Sequence, residues 1–238
     1  MNTFKYILIL ICIWLLPIQL LGIELIEYSH AGNYKALISF PNTMTPTSNE
    51  KFPVIIFSYD EYVDLLGQDV AKTIGYDLEH FMKMFNQWGF ACIIPLERHR
   101  KLNALKGAIF SIRKTKSLNK DKIILVGASE GALLSLLAVH NTPQVSGIVI
   151  IDPVGIHKKG HLSYPNLVRQ MDAINVPILF IASKTNKRWR NKRSDLLRQL
   201  FIDHNKTLVY KEYNFKKKWF WNPEYQFMDD IETFTKNL

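Results

Sequence analysis

The stretch Ile123-Ile124-Leu125-Val126-Gly127-Ala128-Ser129-Glu130-Gly131-Ala132-Leu133-Leu134-Ser135-Leu136-Leu137-Ala138-Val139 decides how the rest of the chain is read. Ile123 to Val126 is a short apolar run rich in β-branched residues, which predicts a strand buried on both faces. Ala132 to Val139 predicts a buried helix, since alanine and leucine favour one. Between them stands Gly127-Ala128-Ser129-Glu130-Gly131. Strand, Gly-x-Ser-x-Gly and helix in this order are the context in which a serine is lifted above a sheet edge. The helix N-terminus then points at whatever the hydroxyl meets. A serine in such a turn is either a nucleophile or a simple cap of the helix that starts at residue 130.

Working outward, apolar runs and amphipathic stretches alternate. Ile23–Tyr28 and Asn33–Phe40 read as two strands around His30-Ala31-Gly32. Pro53–Ser58 is a buried strand, and Tyr59–Gly75 reads as acidic and irregular. Asp77–Trp88 is an amphipathic helix ended by Gly89, Phe90–Ile94 a strand closed by Pro95, and Leu102–Lys116 a second amphipathic helix. After the central stretch come a strand at Ser146–Ile151, a helix from about Pro165 to Ile174 and a strand at Val176–Ala182. A helix at Ser194–His204 with Ser194 as N-cap follows, then a strand at Thr207–Tyr213 and a last helix opened by Pro223. Strands alternating with helices from residue 53 onward predict an α/β fold. Its sheet is doubly wound and mainly parallel, with an antiparallel N-terminal edge. Ligands of such sheets sit at the carboxyl ends of the strands, so the loops after residues 58, 95, 127, 151, 182 and 213 matter most.

The chain has 238 residues, 47% of them hydrophobic, which supplies one sizeable core and excludes global disorder. Residues 1–22 are read as a separate object and 23–238 as one domain. Lys5 precedes Tyr6–Leu21, an apolar run with Gln19 as its polar exception and a break at Pro17. That pattern resembles a secretory signal peptide and predicts export across the inner membrane. Gly22 is small enough for cleavage, but Leu20 fits poorly two positions earlier, so an uncleaved N-terminal anchor is the other reading. Removing Lys5 and no acid takes the net charge from +9 to +8. Cys92 would then stand alone in a predicted strand, as plain core. No cysteine–histidine spacing suggests a metal, no glycine-rich loop suggests phosphate binding, and no cofactor is expected. Residues 184–193 hold six basic side chains and Lys216–Lys218 three more. They are either a solvated face or a means of attracting an anionic ligand or a membrane surface. No nucleic-acid motif accompanies them.

The order of elements and the Gly127-Ala128-Ser129-Glu130-Gly131 turn resemble the α/β-hydrolase superfamily. The paired strands at 23–40, Ile93-Ile94-Pro95 and the short chain look most like its dienelactone-hydrolase-like and small esterase members. The resemblance implies Ser129 as nucleophile, the N–H of Glu130 as an oxyanion donor, and a small-molecule acyl substrate. It also implies a second donor from the loop after residue 58, an acid after a late strand and a histidine after the last strand. The chain departs from that pattern in three places. Tyr59-Asp60 stands where members often carry His-Gly, and Asp60 and Glu61 either put unhelpful negative charge near a developing oxyanion or point to solvent. Asn186 stands near the usual acid position, which leaves Asp152, at the end of the preceding strand, as a substitute or as a plain strand end before Pro153. No histidine follows His204, which itself precedes the last strand. His99, His157 and His161 lie in loops on the correct side and are the base candidates, or surface histidines. Tyr59, Lys184 and Arg188 are the ligand-contact candidates. A serine without a base is a weak nucleophile, so a binding protein on a hydrolase scaffold with a degenerate triad is the alternative function.

Overall fold

The computed structural model describes residues 22–41, 51–140, 142, 145–153, 163–184, 188–215 and 226–238. The strands are β1 (Glu24–Ser29), β2 (Asn33–Ser39), β3 (Phe52–Ser58), β4 (Ala91–Leu96), β5 (Leu118–Ala128), β6 (Val145–Ile151), β7 (Ile178–Ser183) and β8 (Leu208–Tyr213). They form one sheet in the order β1-β2-β4-β3-β5-β6-β7-β8. β3 to β8 are parallel, whereas β2 is antiparallel to both β1 and β4. The mainly parallel sheet with an antiparallel edge is thus as expected from the alternation of elements. Pro95 lies inside β4 rather than beyond it, opposite Ala36 of β2.

The central strands carry apolar residues on both faces, and alternate side chains feed two separate cores. Val54, Ile56, Ile123, Leu125, Ile148, Ile150 and Phe180 point one way. Ile55, Phe57, Ile124, Val126, Val149, Ile151 and Ile181 point the other. The first face is covered by α4 (Lys101–Ile112), α5 (Glu130–Ala138) and α7 (Arg188–Asp203), through Leu105, Ile109, Leu133, Leu137, Leu197 and Phe201. The second is covered by α3 (Leu78–Gln87) and α8 (Phe227–Lys236), through Phe81, Phe85, Phe227 and Ile231. Each such large apolar side chain contributes about 1.5–3 kcal/mol on burial. Every residue of α5 from Gly131 to Ala138 is buried, as its apolar sequence requires, and the one polar side chain, Ser135, donates back to the Gly131 carbonyl.

Three local expectations change. Residues 59–75 are not irregular. Asp60 caps α1 (Glu61–Leu66) by accepting from the Tyr62 N–H, and Gly67, at φ 81°, turns the chain into α2 (Gln68–Thr73). Ser194 is not an N-cap, because α7 starts at Arg188 and Ser194 is buried within it. The helix predicted over 165–174 is α6 (Tyr164–Gln170) followed by one 3-10 turn, Met171–Ala173. Among the described residues no helix is long and apolar enough to cross a membrane. The apolar run 6–21 and Pro223 lie outside the described residues.

Candidate active site

Parallel strands bring their carboxyl ends to one edge, and the register there is specific. Ser58 pairs with Gly127, Ala128 with Ile151, and Ile151 with Ile181. Ser129 is therefore the first residue past β5 and Asp152 the first past its neighbour β6. Ser129 takes φ 56°, ψ −114°, a region that non-glycine residues rarely enter. Its N–H donates to the Ile151 carbonyl at 2.9 Å, which fastens the turn to β6. Asp152 is bound in the same way, its N–H donating to the Ile181 carbonyl at 2.8 Å, and its φ is 42°.

The two glycines are required by close approach. A Cβ on Gly131 would stand 2.0 Å from the Ser58 carbonyl oxygen, and one on Gly127 would stand 2.2 Å from the Gly131 carbonyl oxygen. The elbow thus packs backbone on backbone, leaving the Ser129 side chain at the N-terminus of α5. That hydroxyl makes no cap hydrogen bond to α5, so the capping reading of Ser129 does not hold. Its Oγ is buried and has no hydrogen-bond partner among the described residues.

Glu130 is not a solvated side chain. Its carboxylate lies 2.6 Å from Lys101 Nζ, and the same ammonium lies 2.7 Å from Asp64 Oδ2. The Tyr59 hydroxyl donates to Asp64 Oδ1 at 2.9 Å, and the ammonium stands 5.9 Å from the centre of the Tyr59 ring. Burial alone disfavours the Lys101 ammonium. The hydrogen bonds and charges of the two carboxylates outweigh it and raise its pKa above that of an ordinary lysine. The Tyr59 phenol is pushed up, first by burial and then by Asp64. Beside this cluster opens a cavity of about 600 Å³, lined by Asp64, Leu65, Arg98, His99, Leu102 and Leu134 among others.

Solved structures share this architecture. One of two fungal esterases from Rhizomucor miehei superposes with a TM-score of 0.64 at 14% identity, over 90% of this chain and 82% of that one. An esterase from Pyrobaculum calidifontis gives 0.63 at 16% identity, over 98% and 90%. A protein described as a dienelactone hydrolase, from Klebsiella pneumoniae, gives 0.62 at 15% identity, over 81% and 85%. The chain has the α/β-hydrolase fold. No family model matches the chain, and no curated protein sequence does either.

Within the α/β-hydrolase fold the remaining candidates separate. Asp152 is buried beside Ser129 at the strand edge. His99 is exposed in the β4–α4 loop and lines the cavity that Glu130 also lines. His157, His161 and Asn186 lie outside the described residues, as does the side chain of Arg188. Asp60 does not point to solvent. It is fully buried, and its carboxylate is engaged by the N-terminus of α1. Tyr59 is buried too, with its hydroxyl committed to Asp64. Lys184 is exposed and pairs with Glu212 at 3.3 Å. His204 stands at the opposite edge of the sheet, where its Nδ1 lies 2.8 Å from Asp172 Oδ1. Lys101 and Asp64 were not legible as site residues. Their contacts join positions far apart in the chain, and one lysine among 30 basic residues gives no signal. Among the described residues no group of three histidine, cysteine, aspartate or glutamate side chains is placed to hold a metal.

Proposed function

We propose that the protein is an exported serine hydrolase, esterase-like, acting on a small carboxylic ester or related acyl compound. The observation that carries this reading is the backbone of Ser129 at φ 56°, ψ −114°, between glycines that tolerate no Cβ. Residues held in sparsely populated conformations cost about 1–3 kcal/mol and cluster at functional sites. Ser129 Oγ attacks the acyl carbonyl carbon while a histidine accepts its proton. The tetrahedral oxyanion takes a hydrogen bond from the Glu130 N–H at the positive end of α5, and a second from the β3–α1 loop. As the tetrahedral intermediate collapses, the carbon–oxygen bond to the alcohol breaks and the histidine returns the proton to that oxygen. Water then repeats the sequence on the acyl-enzyme. Asp152 is the acid that orients the imidazole, in place of Asn186. The apolar run behind Lys5 supports export, and the basic stretches 184–193 and 216–218 support attraction of an anionic ligand or a membrane surface.

A second reading, a binding protein on this scaffold, is favoured by one observation. The Ser129 hydroxyl has no hydrogen-bond partner among the described residues, and a serine without a base is barely nucleophilic at neutral pH. Incubation with a fluorophosphonate, followed by mass mapping, separates the two. An adduct on Ser129 that is lost with His99, His157 or His161 establishes the hydrolase and names its base. No adduct after prolonged incubation rejects the hydrolase in favour of the binding protein. Export is tested by fractionating tagged protein, and a soluble cytoplasmic chain that retains Met1–Gly22 would refute it.

A further inference from the structure

Both loops that flank the place of an oxyanion are tied to one ammonium group. Glu130, the residue after Ser129, reaches Lys101 Nζ at 2.6 Å. Asp64 of α1 reaches it at 2.7 Å and is itself held by the Tyr59 hydroxyl at 2.9 Å, in the β3–α1 loop. The Lys101 side chain is only 15% exposed. We infer that Lys101 is a positioning residue that braces the elbow against the β3–α1 loop, fixing the separation of the two backbone donors. The inference rests on the reading of Ser129 as nucleophile, since only then is that separation an oxyanion site.

The placement of Lys101 opposes its local interests, which is why the cross-links must supply the compensation. It opens α4, where the positive end of the helix disfavours a cation. Arg100, just before it, is held at φ 57°, an uncommon conformation for a residue with a Cβ. Burial adds a desolvation cost. What Lys101 gains is a charge-assisted hydrogen bond to Glu130 on one wall and a close ion pair with Asp64 on the other. The two carboxylate oxygens that share it can be no more than about 5.3 Å apart, the sum of the two contact distances. Without the lysine they repel across a poorly solvated gap, and the β3–α1 loop moves away from the elbow. An oxyanion donor displaced in this way affects the transition state rather than the bound substrate.

The test uses the full-length protein as Lys101→Met, as Lys101→Arg, and as the neutral combination Lys101→Met with Asp64→Asn and Glu130→Gln. The combination removes the buried charges, so it keeps the fold while removing the brace. The first readout is hydrogen exchange, which needs no activity. In Lys101→Met and in the neutral combination, segments 58–66 and 128–134 are expected to exchange at least tenfold faster, both together, with Lys101→Arg in between. The second readout is turnover of a p-nitrophenyl ester. The neutral combination is expected to lose about 10²–10³ in kcat, the range for loss of one oxyanion donor, with KM within twofold and the thermal midpoint near that of the parent. Lys101→Arg should recover part of kcat. Unchanged exchange in either segment, or parental kcat in the folded neutral combination, overturns the brace. A parent that neither turns over ester nor labels at Ser129 overturns the hydrolase reading, and the exchange result still decides whether Lys101 couples the two loops.

Discussion

Ser129 should be a position where the protein gives up stability. Two costs are visible: the backbone strain at φ 56°, ψ −114° and a buried hydroxyl with no hydrogen-bond partner among the described residues. The first is worth about 1–3 kcal/mol and the second about the same. Ser129→Ala removes the hydroxyl and keeps the strain, so it should stabilise the fold by ~1 kcal/mol. Ser129→Gly removes both, because glycine accepts a positive φ. It surrenders about 0.4–1 kcal/mol through the freer unfolded chain, leaving a net gain of ~2 kcal/mol. For a domain of this size one kcal/mol moves Tm by roughly 2–4 °C. Alanine should therefore raise Tm by about 2–4 °C and glycine by about 4–8 °C. Calorimetry gives the midpoints, and urea titration followed by tryptophan fluorescence gives the free energies. A Ser129→Ala protein less stable than the parent would refute the account of the hydroxyl. A glycine variant below the alanine variant would refute the account of the strain.

Two further outcomes follow from the geometry. Gly131→Ala places its Cβ 2.0 Å from the Ser58 carbonyl oxygen, a clash of backbone on both sides. It should cost more than the ~1–3 kcal/mol usual for overpacking, and a variant within 1 kcal/mol of the parent by urea titration would contradict the close packing of α5 on β3. Alkali should also weaken the fold. Burial and then Asp64 raise the Tyr59 pKa, burial raises that of Tyr28, and the carboxylates around Lys101 raise its pKa despite burial. The folded state thus holds these protons more tightly than the unfolded state. Their stabilisation is complete below about pH 10, the ordinary tyrosine value, and is lost as pH rises above it. The urea midpoint should fall between about pH 10 and 11.5, less steeply in Tyr59→Phe, and a flat midpoint there would refute the assignment.

What was legible in the sequence was whatever the two-sided burial of a parallel sheet writes into it. Ile123–Val126, Ile148–Ile151 and Leu179–Ile181 are apolar on both faces, so continuous runs mark them as central strands. The elbow was legible because close approach demands Gly127 and Gly131. The strand order was not, since nothing local tells β4 to lie between β2 and β3. Helices α1 and α2 escaped because Leu65, Leu66, Val70 and Ile74 stay exposed, so no core-facing period distinguishes them from a loop. Ser194 was misplaced because the basic run 187–193 reads as a polar loop, whereas the helix starts at Arg188. The Lys101 cluster joins residues 29 apart, to Glu130, and its link to Asp64 is longer still. Ion pairs of that span leave no periodicity.

The sheet order also constrains how an acid and a base can be paired here. Ser129 follows β5, Asp152 follows β6 on one side of it, and His99 follows β4, two strands away on the other side. At about 4.8 Å per strand, the ends of β4 and β6 are roughly 14 Å apart with the serine between them. An imidazole that bridges acid and serine must reach both at hydrogen-bond distance. His99 thus follows a strand on one side of Ser129 and Asp152 a strand on the other, whereas His157 and His161 follow Asp152 closely in the sequence. The two assignments predict different sets of coupled variants. If Asp152 is the acid, Asp152→Asn and one of His157→Ala or His161→Ala should slow Ser129 labelling to similar extents. Combining the two should then slow it little further, because triad members act as a unit. His99→Ala should then leave the rate within about twofold. If His99 is the base, His157→Ala and His161→Ala should be the silent variants. Full, multiplicative losses from Asp152→Asn and from whichever histidine variant slows labelling would refute Asp152 as the acid, because members of one triad do not act independently.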